Sequence, residues 1–303
     1  MTLHDDPLWP RAQSWFQQGD VSKVCDLNIL GVPAHRTSIS PSRADTTPTA
    51  VREALMRYST WAASANVDLR EKLVAVDAGD VAEPDFDDGE IRAMVAMTRA
   101  IGASRLALFI GGDNSITYAG ATALAEAAGG MDKIGLITLD AHHDLRDGKS
   151  NGSPIQRLIE DGLDGRHVVQ IGIADFANSR YYASRAQEYG ITTIRRDDMH
   201  HQSIHDLVRR ALSIAGAQGR AVYLDVDLDV CDRGVAPACP ASLPGGLGAD
   251  ELRRTVRAFA ADARVRAIDF TEVDAQADSA DQRTVRLLAL AILESATGLA
   301  IRS

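Results

Sequence analysis

Short runs of β-branched and leucine-rich residues recur along the chain, at Val24–Leu30, Leu106–Ile110, Ile134–Leu139, His167–Ile173, Ile191–Ile194, Ala221–Val226 and Val265–Phe270. Each reads as a short strand. Segments with helical periodicity lie between them: Pro48–Arg57, Gly89–Ala100, Ser115–Ala128, Ser179–Tyr189, Ile204–Ala215 and Ala249–Ala261, with Arg283–Ala300 closing the chain. Parallel strands need crossover connections, which are almost always right-handed, so alternating strands and helices imply an α/β fold with a mainly parallel sheet covered on both faces. The predicted architecture is a three-layer αβα sandwich. No linker of shifted composition and no internal repeat divides residues 1–303, so one domain is the simpler reading. The longest stretch of turn-forming residues, 35–49, reads either as a surface connection or as a loop closing over a site.

Composition adds exclusions. The chain is 45% hydrophobic and 24% charged, which allows a large core and argues against global disorder. No window supplies the roughly 18 uncharged apolar residues of a membrane span, and the first residues carry no signal-like region, so a cytoplasmic location is expected. A net charge of −10 disfavours a surface that tracks nucleic-acid phosphates. Cys25, Cys231 and Cys239 are odd in number and lack metal-motif spacing, which predicts free thiols.

The chemistry concentrates where predicted strands end. Leu106–Ile110 leads into Gly111-Gly112-Asp113-Asn114-Ser115, Ile134–Leu139 into Asp140-Ala141-His142-His143-Asp144, Ala221–Val226 into Asp227-Leu228-Asp229, and Val265–Phe270 into Thr271-Glu272-Val273-Asp274. Parallel sheets bind ligands at their carboxyl edge, so the four clusters would share one side. If the chain stays extended past the strands, Asp140, His142 and Asp144 leave on one face, and so do Asp227 and Asp229. Four carboxylates so placed would repel one another strongly unless a cation sat between them. A mostly carboxylate set with one imidazole suits Mn²⁺ better than Zn²⁺, with Mg²⁺ a weaker candidate.

Gly111-Gly112-Asp113, the Asp140–Asp144 pentad, Asp227-Leu228-Asp229-Val230-Cys231-Asp232 continuing to Ala236-Pro237, and Glu272-Val273 resemble the signature blocks of the ureohydrolases, the arginase and agmatinase superfamily, in order and spacing. The resemblance implies a pair of Mn²⁺ ions sharing a hydroxide. Asp140 and Asp227 would bridge the ions, Asp144 would bind the first, and His142 and Asp229 the second. Glu272 matches the glutamate that orients the substrate nitrogen. The implied reaction is hydrolysis of an amidine-type C–N bond by a metal-bound hydroxide, and the implied assembly is a homotrimer or hexamer.

Two positions depart from most of the family. Asn114 stands where the family has a histidine ligand, and an amide oxygen is the weaker ligand, so the first metal site is expected to be weak. Asn151 stands where arginases keep a histidine thought to shuttle protons, which asparagine cannot do. Both departures, with Asp140–Arg146, Ser150–Pro154, Gly172-Ile173, Phe176–Ser179 and Asp281–Leu287, resemble formimidoylglutamases, which hydrolyse N-formimidoyl-L-glutamate to L-glutamate and formamide. A dicarboxylate tail calls for a guanidinium, and Arg146, two residues beyond Asp144, is the first choice; the bland alternative pairs it with Asp147. Asn151 and Asn178 join it as candidate substrate contacts, and Arg180 is weaker. His143 reads either as a support for a ligand or as a cover for the strand end. His200, His201 and His205 lie in a polar region and are expected to be solvated. The competing readings are an agmatinase or guanidino-acid hydrolase releasing urea, which would want acid where Arg146 stands, and a metal-poor non-catalytic homologue.

Overall fold

A computed structural model describes residues 6–302. Its strands are β1 (Gln17–Gln18), β2 (Cys25–Val32), β3 (Trp61–Ala62), β4 (Val67–Asp68), β5 (Ala75–Asp80), β6 (Ser104–Gly111), β7 (Ile134–Leu139), β8 (Val168–Ile173), β9 (Thr192–Arg195), β10 (Ala221–Asp227) and β11 (Val265–Thr271). The α-helices are α1 (Thr47–Leu55), α2 (Leu69–Lys72), α3 (Gly89–Ala103), α4 (Ile116–Ala128), α5 (Pro154–Glu160), α6 (Arg180–Glu188), α7 (Arg196–Met199), α8 (Ile204–Ala215), α9 (Ala249–Ala260) and α10 (Arg283–Ala300).

Nine strands form one sheet in the order β1-β5-β2-β6-β11-β10-β7-β8-β9. Every pairing within it is parallel. The β3–β4 pair is antiparallel and stands apart from this sheet. Consecutive side chains of one strand feed opposite cores: Leu106, Leu108 and Ile110 pack with Val51, Leu212, Phe259 and Leu288. Ala107 and Phe109 pack with Met97, Ala121, Leu124 and Leu158 on the other side. Helices therefore seal both faces, which is why the strands read as unbroken apolar runs. No helix among the described residues is long and apolar enough to cross a membrane.

All seven predicted strands form, with ends shifted by a residue or two. β5 escaped prediction because its sequence, AVDAGD, carries two acids and a glycine, and its last three residues are only partly buried or exposed. α2 and α7, of four residues each, are too short to show a period. The predicted loop 35–49 ends earlier than expected, since α1 begins at Thr47.

β6, β11, β10 and β7 are consecutive in the sheet, and they are the four strands that end in acidic clusters. The close approach at the β6 end depends on Gly112. Its carbonyl accepts from Glu272 N at 2.9 Å, and a Cβ there would stand 1.6 Å from the Ala34 carbonyl oxygen. We expect Gly112→Ala to cost roughly 2–3 kcal/mol as overpacking against backbone. The urea midpoint should fall accordingly; an unchanged midpoint would show that the backbone at Ala34 yields freely.

Candidate metal centre

The ligand-bearing chain does not stay extended. β7 ends at Leu139, and Asp140–Arg146 follow as irregular backbone with Asp144 at φ 53°. Asp227 closes β10 and caps the short turn Leu228–Val230, accepting from Asp229 N at 2.8 Å. The expected alternation on extended strands is thus replaced by turns, which bring the groups together more closely than pleating would. Glu272 likewise sits at φ 63°. Non-glycine residues held in the left-handed region cost on the order of 1 kcal/mol or more and persist where surrounding structure fixes them.

Asp140, His142 and Asp229 each offer a ligand atom within 4.8 Å of the others. His142 Nδ1 lies 2.9 Å from Asp229 Oδ2 and 3.5 Å from Asp140 Oδ1. Asp140, Asp227 and Asp229 are at most 2% exposed, and Asp144 is 9% exposed. Burial first, and then the charge of Asp229, raises the Asp140 carboxyl to about 6. Asp144 and Asp227 are raised well above the usual range, again by burial and then by neighbouring carboxylates. His142 resists its own burial, and the charges of Asp229 and Asp140 push its imidazole up to about 12. That imidazole is what holds Asp229 low despite burial. One imidazole cannot neutralise four buried carboxylates, so the donor set fits divalent cation binding.

Glu272 is buried, and its pKa rises to about 8 through burial and the charge of Asp113. Its Oε1 accepts from Asn114 N at 2.7 Å and from Asn151 Nδ2 at 2.8 Å. Asn151 Oδ1 in turn accepts from Ile39 N at 3.0 Å. Asn151, expected to meet substrate, is therefore engaged at both ends with protein and orients Glu272. Asn178, the other asparagine expected to meet substrate, also has protein partners at both ends. Its Nδ2 donates to Ala141 O and its Oδ1 accepts from His143 N, each at 2.9 Å, which staples the loop before α6 to the ligand loop.

Asn114 was expected to ligate metal through its oxygen. In this structure its Nδ2 donates to Asp144 Oδ2 at 2.5 Å, while Oδ1 accepts from Thr271 Oγ1 at 3.0 Å and lies 2.8 Å from Thr117 Oγ1. The amide thus gives the carboxylate a donor, and the two hydroxyls engage its oxygen. His143 is buried, with Nδ1 2.7 Å from Gln170 Oε1. His200, His201 and His205 are exposed. Arg146 is exposed and, among the described residues, its guanidinium has no hydrogen bond or ion pair. Its stem runs over Gly152, where a Cβ would meet Arg146 Cδ at 2.9 Å. Asp147 is bound by Arg185 instead, at 2.6 Å.

The segment from residue 35 is tied down at several points. His35 N donates to Asp85, Ser38 Oγ to Asp113 at 2.7 Å, and Arg43 N to Asp274 at 2.9 Å. It forms part of the wall beside Glu272. A cavity of about 510 Å³, lined by Ala141, Phe176, Arg195, Asp229 and Gly246, opens beside the cluster. Sequence reasoning missed Asp225 and Asp269, paired in register on β10 and β11 directly beneath the ligands. Both are fully buried, and neither Asp225 oxygen nor Asp269 Oδ1 has a partner. Burial and the facing carboxylate raise Asp225 well above the usual range, which favours its protonated form. The available signal was the D-x-D-x-D alternation beginning at Asp225.

Comparison with known proteins bears on this site. The chain is 33% identical over 302 residues to the formimidoylglutamase of Halalkalibacterium halodurans, covering 97% of this chain and 93% of that protein. The crystal structure of formimidoylglutamase from Bacillus subtilis superposes with a TM-score of 0.92 at 29% identity, covering 99% of this chain and 95% of that one. The Trypanosoma cruzi formiminoglutamase structure with Mn²⁺ shares the fold, with a TM-score of 0.87 at 21% identity and coverage of 97% and 100%. The Arginase family model matches residues 25–297, and this chain belongs to that family.

Proposed function

We propose that this chain hydrolyses N-formimidoyl-L-glutamate to L-glutamate and formamide at a manganese centre held by Asp140, His142, Asp144, Asp227 and Asp229, with residues 1–303 acting as one catalytic unit. The observation that carries the reading is a cation-demanding cluster followed, two residues beyond Asp144, by Arg146, whose guanidinium has no hydrogen bond or ion pair among the described residues. The cluster suits hydrolysis of an amidine, and the guanidinium suits a dicarboxylate tail. A cationic amine tail, as in agmatine, would meet like charge there. The similarity to formimidoylglutamases and the Mn²⁺ of the Trypanosoma cruzi protein support the same reading.

Bound divalent cations would neutralise the carboxylates and supply an activated water near neutral pH. Glu272, fixed by Asn114 and Asn151 through one oxygen, offers the other to the amidine N–H groups and is placed to hold a proton for the leaving nitrogen. Arg146 holds a carboxylate and so sets the amidine carbon over the cluster. Asn114 holds Asp144 in position and is a support rather than a ligand.

Purified protein with Mn²⁺ should release formamide and glutamate from N-formimidoyl-L-glutamate, and no urea from agmatine or arginine at comparable rates. Preferential urea release would replace this reading with the guanidino one.

The cluster also predicts a pH response. Asp140 and Glu272 reach about 6 and about 8, and Asp144 and Asp227 are raised too. The unfolded chain loses these protons near pH 4 while the folded chain keeps them, so their stabilisation is complete below pH ~4 and drains as pH rises through the folded values. The melting temperature of metal-free protein should therefore fall between pH 5 and 8.5, and the gain on adding Mn²⁺ should be larger at pH 8 than at pH 6. A metal-free melting temperature that climbs across that interval would contradict this account of the cluster.

Asn114→Ala removes the donor to Asp144 and should weaken Mn²⁺ binding by about 10–100-fold, the usual loss when a ligand's support is deleted. Chelator competition measures it, and undiminished affinity would show that the amide supports neither Asp144 nor the metal.

A further inference from the structure

Arg146 and Asp147 are chain neighbours of opposite charge on an exposed turn, and such neighbours readily pair: Lys133 and Asp132 do so at 2.6 Å elsewhere in this molecule. Among the described residues Arg146 nevertheless has no ion pair. The reason lies on α6. Arg185, whose side chain is only 14% exposed, reaches across to the ligand turn and donates from Nη1 to Asp147 Oδ1 at 2.6 Å and to Leu145 O at 2.8 Å. Nη1 also lies 3.3 Å from Gln156 Oε1, and Nη2 donates to Tyr181 Oη at 2.8 Å. The guanidinium is stacked near the Tyr181 and Tyr182 rings, with centroids at 4.9 and 5.8 Å. Arg185 is thus fixed from several sides and cannot swing towards the site. Asp147 is the exposed partner, at 75%, and among the described residues this is its one ion pair.

We infer that Arg185 is a specificity-determining positioning residue: by capturing Asp147 it keeps the adjacent Arg146 free for a substrate carboxylate. The inference rests on the reading of Arg146 given above. Arg185 does not touch the substrate. Without it, the Asp147 carboxylate would turn to the nearest guanidinium and compete with the substrate tail for the same donors. The cation two residues beyond Asp144 is in this view kept available by a second arginine, which removes the local acid from competition. The bond to Leu145 O has a separate role, since it also steadies the turn that carries Asp144.

The test separates these two roles. Arg185→Gln should raise KM for N-formimidoyl-L-glutamate by about fivefold, the scale of an exposed competing ion pair, with the loss of the Leu145 brace read separately in kcat and Mn²⁺ content. Adding Asp147→Asn to that variant removes the competitor and should return KM to near the wild-type value. A double variant that keeps the raised KM would overturn the inference, because Arg185 would then act only by bracing Leu145 and Gln156. Asp147→Asn alone leaves the brace intact and should leave KM unchanged or lower it. A higher KM in that variant is equally fatal, and this measurement serves even if Arg185→Gln does not fold. Arg146→Met run in parallel distinguishes the failures. An unchanged KM there overturns the Arg146 reading and this inference together, whereas a raised KM without rescue by Asp147→Asn overturns this inference alone.

Discussion

Asp140, His142 and Asp229 meet at one edge of the sheet, near enough to Asp144 and Asp227 to raise their carboxyls, and three of the four carboxylates are almost wholly withdrawn from water. In that setting like charges repel with little screening, and the cost falls on whichever structure holds them together. The rest of the fold answers that cost. Parallel strands with helices on both faces create a rigid edge, and β6, β11, β10 and β7 deliver their last residues to it side by side. Even the row beneath is acidic, with Asp225 facing Asp269. A bound cation would relieve the upper row, and in the lower one burial and the facing carboxylate push Asp225 towards its protonated form.

The groups around the ligands are chosen to position without adding charge. Asn114 holds Asp144, Asn151 holds Glu272, Asn178 ties the loop before α6 to the ligand loop, and Gln170 engages His143. An amide offers a donor at one end and an acceptor at the other, so it can bridge a carboxylate to backbone without altering the charge that a metal must balance. The departures from histidine at 114 and 151 take on meaning in this light: both positions now brace acidic side chains. Positive charge lies two residues beyond Asp144, at the exposed Arg146, while Arg185 is occupied by Asp147.

Much of this was legible in the chain. The fold class and the seven principal strands follow from hydrophobic periodicity, because a residue's burial on a strand or helix face is a local consequence of its spacing. The cation requirement also follows locally, since Asp140-x-His142-x-Asp144 and Asp227-x-Asp229 place like charges within a few residues of one another. β5 was not legible, because at its half-buried end pairing with β2 and β1 tolerates acids that the pattern treats as breaks.

The sequence by itself determined which residues are chemically able to form the centre and that they follow strands at one side of an α/β sheet. Tertiary structure decided what each of them does there. Asn151 meets Glu272 across 121 positions and Asn114 meets it across 158, separations at which no spacing rule operates. The direction of the Asn114 amide was set by Thr117, Thr271 and Asp144 together, and the partner of Asp147 by a helix 38 residues away. Residue type and spacing fix the donors available, but hydrogen-bond direction and ion-pair choice depend on which groups the folded backbone brings within about 3 Å.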